Sequence, residues 1–256
     1  MPLTPAHSQA SLTYRRYDME IQRFPELDSL IDGSSQRLTD TLLSIQSEPE
    51  GVARVVLTGG TAGIALLRRM AEPDRASGID WSRVHVFFGD ERNVPVDHPD
   101  SNEGQAREAL LDHVPIPEEN IHGYGLTGGE MDEAVDAYRR IIVEFAPNGF
   151  DIHLLGMGGE GHINSLFPHT DAVREDNELA VAVTDSPKPP AERVTLTLPA
   201  VRSARGVWFL VSGAEKAEAA AHLAARSDPL DWPASGARGL EETVLFVTED
   251  AASLIP

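Results

Sequence analysis

The chain has 256 residues, no cysteine and a formal net charge of −20. Hydrophobic residues make up 41% and charged residues 24%, which fits an ordinary folded domain rather than a disordered one. The missing cysteines exclude disulfides, thiolate nucleophiles and cysteine-ligated metal sites, and the acidity argues against nucleic-acid or anionic-membrane partners. The longest apolar runs are strand-sized, so no membrane span is expected. Met1 to Ser11 lacks the basic-then-apolar order of a secretory signal, and the cytoplasm is the expected address. Only two lysines occur, Lys188 and Lys216, so a lysine at a pocket position stands out.

Strand-like and helix-like segments alternate along the chain. Leu12 to Gln22 has the texture of an edge strand or hairpin. Leu27 to Gln46 predicts a helix, with apolar residues at Leu27, Leu30, Ile31, Leu38, Leu42 and Ile45; Gly33 within it costs about 1 kcal/mol. Arg54 to Leu57 reads as a buried strand, followed by Thr58-Gly59-Gly60-Thr61 and a helix through Met70. Val84 to Phe88 is a further strand. Glu103 to Asp112 reads as a helix capped by Ser101 or Asn102. Glu130 to Phe145 is amphipathic with helical spacing, and Phe150 to Leu155 is a buried strand. Strands are also expected at Leu179 to Val183, Val194 to Leu198, Val207 to Val211 and Thr243 to Val247, with a helix from Ala214 to Ala225 between the last two. This alternation predicts an α/β fold with a mostly parallel sheet and helices on both faces. No linker or repeat divides the chain, so residues 1–256 are expected to form a single domain.

Four places could carry chemistry. The first is Gly156-Met157-Gly158-Gly159-Glu160-Gly161-His162, where glycines turn the backbone sharply after a strand and deliver a histidine. The end of a strand in an open α/β sheet is where such folds place ligands. The second is Thr58 to Thr61, between a strand and a helix, where free backbone N–H groups and the helix dipole favour an anion. It matches neither a nucleotide-binding lysine loop nor a dinucleotide fingerprint. The third is Asp90-Glu91-Arg92, directly after a strand; Arg92 suits bidentate phosphate binding, and the carboxylates could orient it or meet sugar hydroxyls. The fourth is a set of separated cations, Arg193 and Lys216, which with Arg92 would supply a local positive field inside an acidic protein. Pro187-Lys188-Pro189-Pro190 reads as a surface loop. His85 and His153 sit inside strand patterns, and no histidine has metal-ligand spacing. No Gly-x-Ser-x-Gly elbow supports a serine hydrolase.

Taken in order, these motifs resemble the short bacterial 6-phosphogluconolactonase family. The resemblance runs from about Val55 to Phe246. It rests on Leu57 to Thr61; Phe88 to Arg92 with Val94-Pro95 and Asp100-Ser101-Asn102; Leu155 to Pro168; Pro189-Pro190 with Arg193 to Thr197; and Lys216. It implies a modified Rossmann-like fold shared with glucosamine-6-phosphate deaminases, and hydrolysis of 6-phosphoglucono-δ-lactone to 6-phosphogluconate without metal or organic cofactor. A phosphosugar lactone is then the small-molecule partner, and a monomer is expected.

Two departures stand out: Thr61-Ala62-Gly63 replaces the family's Ser-Thr-Pro after the two glycines, and Glu160 replaces the Asp two residues before the histidine.

On this reading His162 is the candidate general base, with an unperturbed pKa near 6.5 suited to neutral pH. Glu160 and Asp90 are the accompanying catalytic candidates. Gly59, Gly60, Thr61, Arg92, Arg193 and Lys216 are the candidate substrate and phosphate ligands, and no metal ligand is expected. Two other readings remain open: a glucosamine-6-phosphate deaminase, and a non-catalytic phosphosugar sensor. Deaminases carry Asp-Glu-Tyr where this chain has Asp90-Glu91-Arg92, and a pure sensor has no need of a base.

Overall fold

The computed structural model of the chain describes residues 19–256. The expected strand or hairpin from Leu12 lies outside the described residues until Met19. From there the chain forms β1 (Glu20–Phe24) and α1 (Leu27–Gln46). Next come β2 (Ala53–Leu57), α2 (Gly60–Met70), the short α3 (Pro73–Ala76) and β3 (Val84–Phe88). They are followed by β4 (Asp90–Arg92), α4 (Asn102–Ala109), β5 (Ile121–His122), α5 (Asp132–Phe145) and β6 (Ile152–Leu155). The remainder is α6 (Asp171–Arg174), β7 (Ala180–Val183), β8 (Arg193–Leu196), α7 (Leu198–Arg202), β9 (Gly206–Val211), α8 (Ala217–Ala225) and β10 (Glu242–Thr248).

Seven strands form one parallel sheet in the order β1-β10-β9-β6-β2-β3-β5. Every residue of β6 and β9 is buried, as expected for parallel strands covered on both faces. The apolar stripe of α1, including Leu30, Ile31, Leu38 and Leu42, enters the core. Gly33 has a packing reason: a Cβ there would lie 2.7 Å from the Phe24 ring. The strand order reverses between β2 and β6. Chain leaving these two neighbours diverges to opposite sides, which opens a crevice at their carboxyl ends. The two glycine loops of the sequence emerge at this crevice.

Three expectations are corrected. The segments Leu179 to Val183 and Val194 to Leu198 do not extend the parallel sheet. As β7 and β8 they form a separate antiparallel sheet with β4, in the order β4-β8-β7. Asp90-Glu91-Arg92, expected only as charged residues directly after a strand, forms a strand of its own because it pairs with Arg193 to Thr195. The helix expected to run to Asp112 ends at Ala109, followed by a separate 3-10 turn at Leu111–His113; its Ser101 cap is as expected, accepting from the Gly104 N–H at 3.0 Å.

Candidate active site

The crevice holds a cavity of about 450 Å³. One wall is the β2–α2 turn, Thr58 to Gly63. A second is Gly156 to Gly158 with His162 and Asn164. The third carries Asp90, Arg92, Asn102 and Arg193, and Ser212, Glu215 and Lys216 close the far side. All nine residues singled out from sequence except Glu160 line this space; Glu160 reaches it through His162. The Gly156 N–H donates to Thr58 Oγ1 at 3.1 Å and ties the two glycine loops together.

His162 is held by Phe167 and Glu160. Its ring stacks on Phe167, with centroids 4.5 Å apart. Its Nδ1 lies 3.0 Å from Glu160 Oε1. A carboxylate only accepts, so Nδ1 carries the proton and Nε2 is the basic nitrogen. Lys188 Nζ reaches the same Glu160 oxygen at 2.8 Å. Gly158 makes this approach possible, because a Cβ there would sit 2.0 Å from His162 Nδ1.

The imidazole does not keep its ordinary pKa. Burial, and then the nearby Lys188 charge, push it down to about 4, although Glu160 and Asp90 act in the opposite sense. The ring is therefore neutral throughout the physiological range. Burial pushes Glu160 up, but the Lys188 hydrogen bond and the charges of His162 and Lys188 outweigh it and hold the carboxyl at about 2. Lys188 is the neighbour of this pair that sequence reading passed over as part of a surface loop. Its rarity was the available signal; its contact with Glu160 arises only because the Pro187–Pro190 turn folds back over the histidine.

Asp90 is buried, and both its carboxylate oxygens are engaged. Ser165 Oγ donates to Oδ2 at 2.6 Å, Asn102 Nδ2 donates to Oδ1 at 3.1 Å, and Arg193 stands 3.8 Å away. Glu91 turns away from the cavity and accepts from the backbone N–H groups of Arg92, Asn102 and Glu103, so it anchors the start of α4. Arg92 and Arg193 face each other across the β4–β8 pair. Arg92 donates to the Asn102 side chain and to the Asp100 carbonyl. Arg193 donates to the carbonyls of Pro190 at 3.0 Å and Lys188 at 2.9 Å, which fixes the turn carrying Lys188. Lys216 forms no salt bridge among the described residues and lines the same cavity as the two arginines. The start of α2 has Gly59 as its N-cap, with no side chain occupying the free N–H groups of the first turn.

The other histidines lie elsewhere. His85 and His122 pair with each other at 2.8 Å on β3 and β5. His169 pairs with Asp231 at 3.3 Å. Among the described residues, no group of three or more His, Asp or Glu side chains is arranged to hold a metal, and no helix is long and apolar enough to cross a membrane.

Comparison with known proteins bears on the family and the fold. Residues 25–246 match the family model described as glucosamine-6-phosphate isomerases/6-phosphogluconolactonase. The chain is 46% identical over 245 residues to the 6-phosphogluconolactonase of Mycobacterium tuberculosis, covering 92% of this chain and 98% of that one. It is 38% identical over 238 residues to that of Streptomyces coelicolor, covering 89% and 91%. A solved 6-phosphogluconolactonase from Thermotoga maritima superposes with a TM-score of 0.80 at 29% identity, over 90% of this chain and 100% of that one. On sequence and fold together, the chain belongs to the glucosamine-6-phosphate isomerase/6-phosphogluconolactonase family.

Proposed function

We propose that this chain hydrolyses 6-phospho-D-glucono-1,5-lactone to 6-phospho-D-gluconate, the second step of the oxidative pentose phosphate pathway. The observation that carries the mechanism is the 3.0 Å approach of His162 Nδ1 to Glu160, which leaves Nε2 unprotonated at the cavity. His162 Nε2 takes a proton from water as the water oxygen attacks the lactone carbonyl carbon. The tetrahedral oxyanion then collapses, the bond from that carbon to the ring oxygen breaks, and the proton passes to the departing oxygen. The backbone N–H groups of the glycine loops are the donors at hand for the oxyanion. A base of low pKa suffices because a lactone is already an activated ester. Glu160 fixes the tautomer, and Lys188 holds Glu160 as an anion. Asp90 positions Arg193 and Ser165 around the sugar.

The 6-phosphate sits at the start of α2, on the N–H groups of Gly59, Gly60 and Thr61, with Lys216 and Arg92 balancing its charge. Arg193 contributes field from within the wall. Binding at this remote group aligns the reacting carbonyl with His162. The proposal extends to a cytoplasmic monomer built as one domain, supported by a single contiguous core running from Leu30 to Ile255.

The test is hydrolysis of freshly generated lactone, followed by pH-stat against the uncatalysed rate, for wild type and His162→Ala. Acceleration by wild type and its loss in the variant are expected. Ammonia release from glucosamine 6-phosphate would instead make the chain a deaminase of the same family.

A further inference from the structure

Residues 228–236, between α8 and β10, pack against the loop that carries the candidate base and are tied to it on both sides of His162. The Leu230 carbonyl accepts from the His169 N–H at 3.0 Å, and Asp231 pairs with the His169 ring at 3.3 Å. The Ala234 N–H donates at 2.8 Å to the carbonyl of Gly161, the residue before the base. Trp232 lies between these ties, and its partly buried indole presses on Gly161, where a Cβ would lie 2.8 Å from Trp232 Cε3. Gly161 also has φ of 77°, so its backbone and its neighbour both demand glycine. The indole stacks in turn on His222 of α8, with centroids 3.9 Å apart and planes within 11° of parallel. His222 is itself held: its Nδ1 lies 2.8 Å from Ser227 Oγ, and its carbonyl accepts from Ser235 Oγ at 3.1 Å. The helix α8 starts directly after Lys216. The Lys216 turn meets the histidine loop a second time, where a Cβ on Gly159 would lie 3.0 Å from the Glu215 carbonyl oxygen. Trp232 is not among the residues lining the cavity, so it acts on the site only through Gly161.

We propose that Trp232 is a positioning residue for His162: its indole, backed by His222, braces the Gly161 backbone and fixes the base relative to Lys216. The inference rests on the lactonase reading above, in which Lys216 meets the phosphate and His162 activates the water. The turn before His162 is closed by two bonds of its own, Gly161 N–H to the Gly158 carbonyl at 3.0 Å and Gly158 N–H to the His162 carbonyl at 2.9 Å. Glycines restrain their backbone weakly, so these bonds set the shape of the turn more than its place. A flat, rigid ring carried against it by the helix that begins at Lys216 sets the place. A shift of about 1 Å between base and bound carbonyl is enough to cost roughly 100-fold in rate.

The test compares Trp232→Phe, Trp232→Leu and Trp232→Ala in lactone hydrolysis and in the imidazole nitrogen NMR spectrum of His162. Phe keeps a flat ring, whereas Leu fills much of the volume without one. Trp232→Leu and Trp232→Ala are expected to lose about 10–100-fold in kcat with KM within about twofold of wild type, and Trp232→Phe to recover most of the rate. In the spectrum, wild type and Trp232→Phe should hold the proton on Nδ1, while the other two mix both tautomers as the contact with Glu160 loosens. Should Trp232→Ala melt far below wild type, Trp232→Leu carries the decision. A wild-type kcat or a wild-type imidazole spectrum in folded Trp232→Leu would overturn the proposal. So would a loss carried by KM instead of kcat, or a loss in Trp232→Phe equal to that in Trp232→Leu. If wild type hydrolysed no lactone at all, the functional reading would fail; the spectrum needs no turnover and would still decide whether Trp232 holds the ring.

Discussion

Glu160 Oε1 lies 3.0 Å from His162 Nδ1 and 2.8 Å from Lys188 Nζ, so a single carboxylate oxygen joins the candidate base to a cation from a different loop. The carboxylate orients the imidazole, and the lysine keeps that carboxylate charged. Glu160→Gln keeps the shape but removes the charge that favours the Nδ1-protonated ring. It should lower kcat by roughly 10–100-fold, part of what a positioned base contributes, with KM nearly unchanged. Glu160→Asp retains a carboxylate and should recover part of the rate. Steady-state kinetics of both variants decide the point.

Removing the Lys188 charge acts on the same base with a predictable sign. The charge disfavours imidazolium and, after burial, is the second cause of its pKa near 4. Lys188→Met should raise that value, so the acid limb of the rate profile moves up toward the ordinary 6.5. The kcat/KM of wild type should hold constant down to about pH 5, while the variant should fall off earlier. Overlapping profiles would remove Lys188 from this role.

Acid should destabilise the fold through its buried histidines. Burial lowers His122 and His162 to about 4 and His153 to about 3. The unfolded chain therefore binds more protons than the folded one below the unperturbed value of 6.5. Stability from these groups is complete above pH 6.5 and is lost as pH falls toward 4, by up to about 1.4 kcal/mol per pH unit for each histidine. Glu160, held at about 2, adds its loss only in a lower window, below its own unperturbed value. Urea unfolding at intervals from pH 7 to pH 4 measures the slope, and a flat profile would contradict the burial of these rings.

Gly158→Ala should separate catalysis from stability. The added methyl would lie 2.0 Å from His162 Nδ1 and 2.6 Å from Glu160 Oε2, so the pair must part. The expected result is a kcat loss of about 10²-fold or more, the low end of a base's contribution, with melting little changed. A variant as active as wild type would mean that the pair is not needed.

The two kinds of cation should answer differently. Arg193 is 4% exposed and braced by carbonyls and Asp90, so Arg193→Ala leaves a buried carboxylate uncompensated and should cost about 3–5 kcal/mol in unfolding experiments. Lys216→Ala should leave stability within about 0.5 kcal/mol and raise KM for phosphorylated ligands. Equal stability losses would argue against Lys216 as a phosphate ligand.

The candidate site was legible wherever local chemistry dictates it. A strand followed by Gly156 to Gly161 has few ways to deliver His162 other than at a sheet edge. The turn between β2 and α2, with two glycines at the start of a helix, reads as an anion site from the sequence alone. The role of Asp90-Glu91-Arg92 was less legible because pairing with β8 depends on residues a hundred positions away. Lys188 was missed for the same reason. A lysine between prolines looks solvated until Arg193 folds its turn back.

By itself the sequence determined the alternation of strands and helices, the parallel sheet and the ends of strands where ligand groups gather, because hydrophobic period, glycine freedom and capping act over a few residues. Only the tertiary structure decided the strand order that places the β2 and β6 loops side by side, the second sheet that brings Arg92 opposite Arg193, and the fall of the His162 pKa to about 4. Those depend on burial and on charges from distant segments, and both exist only once the chain has closed on itself.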